Sequence, residues 1–114
     1  MLYGYWEKVD KIVSENEIVI DRKKNSSHPK YKNMIYPVDY GYVKNSKSMD
    51  NNEIDIFCGT DPIKRINGIL CTIDILKNDS EIKVLYGCSD NEIELICGFI
   101  ESEYMSCLLV KKNT

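Results

Sequence analysis

Apolar side chains recur at helical spacing near the start of the chain. Leu2, Tyr5, Trp6, Val9, Ile12 and Val13 form one stripe, which predicts a helix from about Tyr3 to Ser14 packed on a core. A second stripe, Ile93, Ile96, Cys97 and Ile100, predicts a helix from about Asn91 to Glu101. Ser89 or Asp90 would cap it, with Glu92 near its positive end. Between the helices the period changes to two. Glu17 to Ile20 reads as a strand running into Asp21 and Arg22, Met34 to Pro37 as a short extended piece, and Tyr40 to Lys44 as the next strand. Glu53 to Cys58 alternates, with Ile54 and Ile56 on one face and Glu53, Asp55 and Phe57 on the other. The continuous apolar run Ile69 to Leu76 reads as a buried strand. Lys77 to Ser80 is the hairpin turn after it, and Glu81 to Tyr86 the return strand, with Ile82, Val84 and Tyr86 set against Glu81, Lys83 and Leu85. Met105 to Val110 closes the series.

The intervening segments are polar. Lys23 to Asn33, broken by Pro29, and Asn45 to Asn52 read as loops, and Asp61-Pro62 as a turn. Gly41 sits between two tyrosines, which suggests a close backbone approach or an unusual dihedral. Two helices and five or six short strands predict an α+β protein whose sheet curls into a small barrel. The chain has 114 residues and shows neither repeats nor a second core, so 1–114 is expected to be one domain.

Charge alters this picture locally. The net charge of −3 argues against a general polyanion binder. Yet Arg22, Lys23, Lys24, Lys30, Lys32, Lys44 and Lys47 fall in a stretch whose one acid is Asp39, and Asp50, Glu53 and Asp55 follow at once. The stretch from His28 to Gly59 therefore runs from cations and phenols, through a Tyr-Pro-x-x-Tyr-Gly-Tyr turn, to an acidic knot. Carboxylates hold hard divalent cations, and Lys, Arg and Tyr hold the phosphate oxygens that a metal leaves open. The five cysteines (Cys58, Cys71, Cys88, Cys97 and Cys107) form no CxxC pair and, with a single histidine, make a poor zinc set. They read as reduced core residues of a cytoplasmic protein. No signal peptide or membrane-length apolar run is visible, so no membrane partner is expected.

Asp50 lies in a loop, so a turn at Asn51-Asn52 can bring it beside Asp55 despite their odd separation. Asp79 and Glu81 sit at and after the next hairpin tip, and Lys83 shares the face of Glu81. Asp50, Asp55, Asp79 and Glu81 would supply the oxygen ligands that Mg²⁺ requires, with Lys83 neutralising a phosphate. Acids also gather in hairpin loops because loops are polar, and the residues alone leave both readings open. His28 could touch a substrate or serve a structural turn before Pro29.

YPVDYGYV followed by SMDNNEIDIF resembles the signature of soluble inorganic pyrophosphatases, a Tyr-Pro-x-Asn-Tyr-Gly-Tyr segment followed by Asp-Gly-Asp-Pro-x-Asp. The resemblance runs from about Ile18 to Tyr86 and points to a short pyrophosphatase-like subgroup with an HPxY…YPxDYGY pattern. It implies an OB-like β-barrel with flanking helices and Mg²⁺-dependent hydrolysis of pyrophosphate to phosphate, with Mn²⁺ as a substitute ion. Carried over residue by residue, Tyr36 and Tyr40 match the site tyrosines, Asp50 and Asp55 the first and third metal aspartates, and Asp79, Glu81 and Lys83 a shortened acidic hairpin with its phosphate lysine. Asp39 stands where Asn is usual. IVIDRKKNSSHPKY matches either through Asp21 and Lys30 or through Arg22 as the phosphate arginine. Asn52 occupies the place of the expected general base, and an amide accepts no proton at neutral pH.

The implied enzyme is therefore slow, or acts on a related small phosphoanhydride; the loss of a general base costs ~10²–10⁴-fold in rate. The alternative is a non-catalytic metal- and phosphate-binding module. A third reading, single-stranded nucleic acid stacking on Tyr31, Tyr36, Tyr40 and Tyr42, is opposed by the acidic knot, so no nucleic-acid partner is expected. The sequence is compatible with a homo-oligomer and does not fix the state.

Overall fold

The computed structural model of the chain describes residues 4–112. Helix α1 spans Tyr5–Glu15, β1 Ile18–Arg22, β2 Asp39–Val43, β3 Ile54–Cys58, β4 Ile66–Asp74, β5 Asp79–Tyr86, α2 Asp90–Ile100 and β6 Met105–Lys111. The six strands form one sheet in the order β1-β2-β3-β5-β4-β6. Neighbours are antiparallel except β3 and β5, which run parallel from the pair Asp55↔Lys83 to Cys58↔Tyr86. The α+β class, the two helices and the curled sheet are as the sequence predicts. The barrel stays open, because β1 and β6 each pair on one side alone. Leu2 and Tyr3, at the head of the expected first helix, lie outside the described residues.

Alternation in β2, β3, β4 and β5 sorts side chains onto two faces, and each helix covers one. On one, Ile93, Ile96 and Ile100 of α2 pack with Val38, Phe57, Leu70, Leu85 and Tyr36. On the other, Val13, Trp6 and Val9 of α1 meet Val43, Ile56, Ile66, Ile69 and Val84. Helix α2 is anchored by a capping box: the Ser89 hydroxyl accepts from the Glu92 backbone N–H, and the Glu92 carboxylate accepts from the Ser89 N–H. That carboxylate also accepts from the Thr60 hydroxyl at 2.8 Å, tying the helix start to the segment after β3.

Gly41 is explained by close approach. A Cβ there would lie 1.8 Å from the Val19 carbonyl oxygen across the β1–β2 ladder. The apolar run Ile69 to Leu76 is only partly a buried strand, which corrects the expectation. Strand β4 ends at Asp74, whose carboxylate accepts from the Leu76 and Lys77 N–H groups and so starts the turn. Ile75 and Leu76 are left exposed at its tip. Met34 to Pro37 forms no strand; a single bridge joins Ile35 to Ser27. All five cysteines are free, and burial raises the thiols of Cys58 and Cys88 to about 11 and about 12. Among the described residues no helix is long and apolar enough to cross a membrane.

Candidate functional site

A polar cavity of about 550 Å³ opens on the α2 face of the sheet. Its centre is built by register. Asp55 on β3 stands beside Lys83 on β5, and Glu81 is two residues before Lys83 on the same face. The Lys83 ammonium donates to Asp55 Oδ2 at 2.8 Å, to Glu81 Oε2 at 3.0 Å and to the Tyr40 hydroxyl at 3.0 Å. It is 8% exposed, so the ion pairs sit largely out of water. Burial opposes its charge, but Tyr40 and Asp55 outweigh that and raise its pKa. Burial likewise raises the Tyr40 phenol, against the opposing pull of Lys83. Glu81 is pushed up by burial, with Lys83 opposing and the neighbouring Asp55 carboxylate adding to the rise.

Arg22 reaches the same cavity through an irregularity in β1. Ile20 pairs with Gly41, but Arg22 pairs with Tyr40, so one extra residue, Asp21, is accommodated between them. Such a bulge reverses the alternation beyond it. It turns Arg22 onto the face of Tyr40, where a regular strand would have kept it on the face of Gly41. The Arg22 guanidinium donates to the Tyr36 hydroxyl and lies 5.5 Å from the Tyr36 ring centre and 5.9 Å from that of Tyr40.

The acidic loop closes another side. Asn51 adopts a left-handed φ of 67°, and the Ser48 N–H donates to the Asn52 carbonyl at 2.7 Å. Asp50 is held inside this turn: Ser48 Oγ donates to Oδ1, the Asn52 N–H to the same oxygen at 3.0 Å, and the Asn52 amide to Oδ2 at 3.3 Å. The Ser48 hydroxyl, then the Asn52 N–H, lower the Asp50 pKa to about 2.

The cavity wall thus includes Asp50, Asn52, Asp55, Asp79, Glu81 and Lys83 together with Asp21, Arg22, Tyr36 and Tyr40. Lys30 is not part of it. Its ammonium lies 5.5 Å from the Tyr31 ring centre, and it is exposed. Among the described residues, no three His, Cys, Asp or Glu side chains converge closely enough to grip a metal ion as they stand. Asp55 and Glu81 close on Lys83 instead.

His28 holds a local turn and also borders the cavity. Its Nδ1 accepts from the Lys30 and Tyr31 N–H groups, and its ring borders the cavity, nearly parallel to Tyr36 at 6.3 Å. Burial, then Arg22, Lys77 and Lys30, lower its pKa. Further wall residues that the sequence reading did not place at the site include Thr72, Asp74, Lys77 and Phe99. Asp74 faces Asp79 across the β4–β5 hairpin, a pairing predictable from the turn once the end of β4 is known.

No protein-family model and no curated protein sequence matches the chain. The fold does match solved structures. One, an inorganic phosphatase from Anaplasma phagocytophilum, superposes with a TM-score of 0.59 at 17% identity over 82% of this chain and 81% of that one. Another, the inorganic pyrophosphatase of Helicobacter pylori, gives a TM-score of 0.59 at 16% identity over the same shares. The chain therefore has a pyrophosphatase-like fold.

Proposed function

We propose that the cavity binds and hydrolyses inorganic pyrophosphate, or a closely related phosphoanhydride, with Mg²⁺ as the cofactor. The observation that carries this reading is the gathering of Asp50, Asp55, Asp79 and Glu81 with Arg22, Lys83, Tyr36 and Tyr40 around one cavity of a pyrophosphatase-like fold. The donor set fits a hard cation, since every candidate ligand is a carboxylate oxygen. Asp50, Asp55, Asp79 and Glu81 would hold it. When bound, Mg²⁺ supplies positive charge against the phosphate oxygens and acidifies water, and Mn²⁺ has the same ligand preference.

The remaining contributions belong to the chain. Arg22, steadied by the Tyr36 hydroxyl and two ring faces, presents its free N–H groups to a phosphate. Lys83 brings a buried charge to the phosphate side. The Tyr40 oxygen accepts from Lys83 and its O–H donates to the Asp55 carboxylate; with Asp55 engaged by a metal, that O–H is free for a phosphate oxygen, and its raised pKa keeps the proton in place. Asn52 can donate and accept hydrogen bonds but cannot take up a proton, so turnover is slow by ~10²–10⁴-fold relative to a site with a general base. A non-catalytic phosphate-binding module is the second reading, favoured by Asn52 and by the closure of Asp55 and Glu81 on Lys83.

Phosphate release from pyrophosphate, measured with Mg²⁺ and with Mn²⁺, tests both. Release above the buffer rate supports the hydrolase. Calorimetric binding of pyrophosphate without release supports the module, and neither binding nor release rejects the site.

A further inference from the structure

A second cavity, of about 590 Å³, lies on the opposite face of the sheet, beneath α1. Its walls are Tyr5, Val9 and Ile12 of the helix and Ile54, Ile82 and Val84 of the sheet. Its size and lining are those of a small-molecule site. The two cavities are neighbours at one end, where Asp50, Thr72 and Glu81 border both.

The topology explains why the two cavities are neighbours there. The β3–β5 ladder begins at Asp55↔Lys83, whereas β5 begins at Asp79 and pairs with β4 along its whole length. Beside residues 79–81, β5 has no strand on its β3 side. The loop carrying Met49 and Asp50 occupies that flank, and Met49 is 92% exposed although it also borders the apolar cavity. The sheet separates its two faces everywhere along β3 but not at this end.

We propose that the two cavities form one site for an amphiphilic phosphoanhydride, a diphosphate monoester of an apolar alcohol. Its diphosphate lies against Arg22 and Lys83, and its hydrocarbon chain passes Asp50 and Glu81 into the cavity beneath α1. This rests on the function proposed above, because the diphosphate needs the divalent ion to lie beside those two carboxylates. In the reaction, water adds to the terminal phosphorus and the bond from that phosphorus to the bridging oxygen breaks. The alkyl monophosphate leaves with the bridging oxygen, and the protons of the water are shared between inorganic phosphate and solvent.

The test is a chain-length series with Mg²⁺: pyrophosphate, methyl diphosphate and geranyl diphosphate, with geraniol as the arm that lacks the head group. Binding is followed by calorimetry and by fluorescence of Trp6, the single tryptophan, whose ring lies 5.4 Å from that of Tyr5 in the apolar wall. Each buried methylene is expected to tighten binding about fourfold, so geranyl diphosphate should bind at least tenfold tighter than methyl diphosphate. It should shift Trp6 emission, while pyrophosphate does not. Val9→Phe, which fills the apolar cavity, should abolish that gain and leave pyrophosphate affinity unchanged. If Val9→Phe does not fold, Ile12→Ser, at a position 40% exposed, should reduce the gain. Pyrophosphate binding without any gain along the series overturns this inference alone. Geraniol binding as tightly as geranyl diphosphate overturns it too, because the cavities are then independent. No binding of any phosphate compound overturns the proposed function with it.

Discussion

The two faces of the sheet come from the same strands and obey opposite rules. On the α1 face, Gly41, Val43, Ile54, Ile56, Ile82 and Val84 follow one another with no charge among them. On the α2 face, their neighbours in sequence are Tyr40, Tyr42, Asp55, Glu81 and Lys83, and apolar packing resumes only at Phe57 and Leu85. The first face is apolar at these positions, part packed core around Ile56 and part cavity. The second is half core and half cavity, and its buried lysine is retained although burial opposes its charge. A buried ion pair is weak evidence for stability, since desolvation offsets its attraction. Under the function proposed above, the Lys83 cluster serves binding, whereas Ile56 belongs to the packed core.

Asp55 and Ile56 sharpen this most, because they are adjacent and point to opposite faces. Asp55→Ala should cut metal-dependent phosphate release by about 10²–10³-fold, while lowering stability by about 2 kcal/mol. Lys83 keeps Glu81 and Tyr40 as partners in that variant. Ile56→Ala should do the reverse. It removes a fully buried side chain and is expected to cost about 3 kcal/mol in urea unfolding, with unchanged turnover per folded molecule. Wild-type release by Asp55→Ala would remove Asp55 from the site.

Asn52→Asp is expected to have a smaller effect, an increase of about 10–100-fold in the rate of phosphate release, as a carboxylate restores a proton acceptor. The gain is held down by the lost amide donation to Asp50 and by the new charge beside it. A rate that stays level or falls would show that position 52 shapes the loop and takes no part in proton transfer.

How much of this was legible in the chain follows from which interactions are local. The alternation in Glu53–Cys58 and Glu81–Tyr86 shows both faces, because period two needs no knowledge of partners. Ser89 and Glu92 announce their helix start for the same reason, and Gly41 announces close contact, although not that Val19 makes it. That Arg22, and not Lys30, borders the cavity was not legible. It turns on the bulge at Asp21, which exists only in the pairing of β1 with β2. Nor could the sequence show that Lys83 bridges Asp55 and Glu81, since that depends on the parallel register of strands separated by a third. The exposed tip at Ile75 and Leu76 was misread because an apolar run carries no mark of where its strand stops.

The finest difference between the faces lies at their shared end, in the loop that holds Asp50. Its carboxylate accepts from the Ser48 hydroxyl and the Asn52 N–H, which lower its pKa from 3.8 to about 2. A carboxylate whose folded pKa is depressed adds stability that is present above the unfolded value and lost as pH falls. The window for Asp50 is thus pH 3.8 down to about 2, and the loop should stay ordered to lower pH than an ordinary aspartate turn. Ser48→Ala removes the largest of the causes. Carboxyl NMR titration of Asp50 should then show a midpoint moved back toward 3.8, with ligand affinity at neutral pH little changed, because Asp50 is ionised there in either case. A midpoint that does not move would mean that the Asn52 N–H and the remaining contacts of the carboxylate hold it without the hydroxyl. The turn, and not the hydroxyl, would then keep Asp50 at the junction of the two cavities.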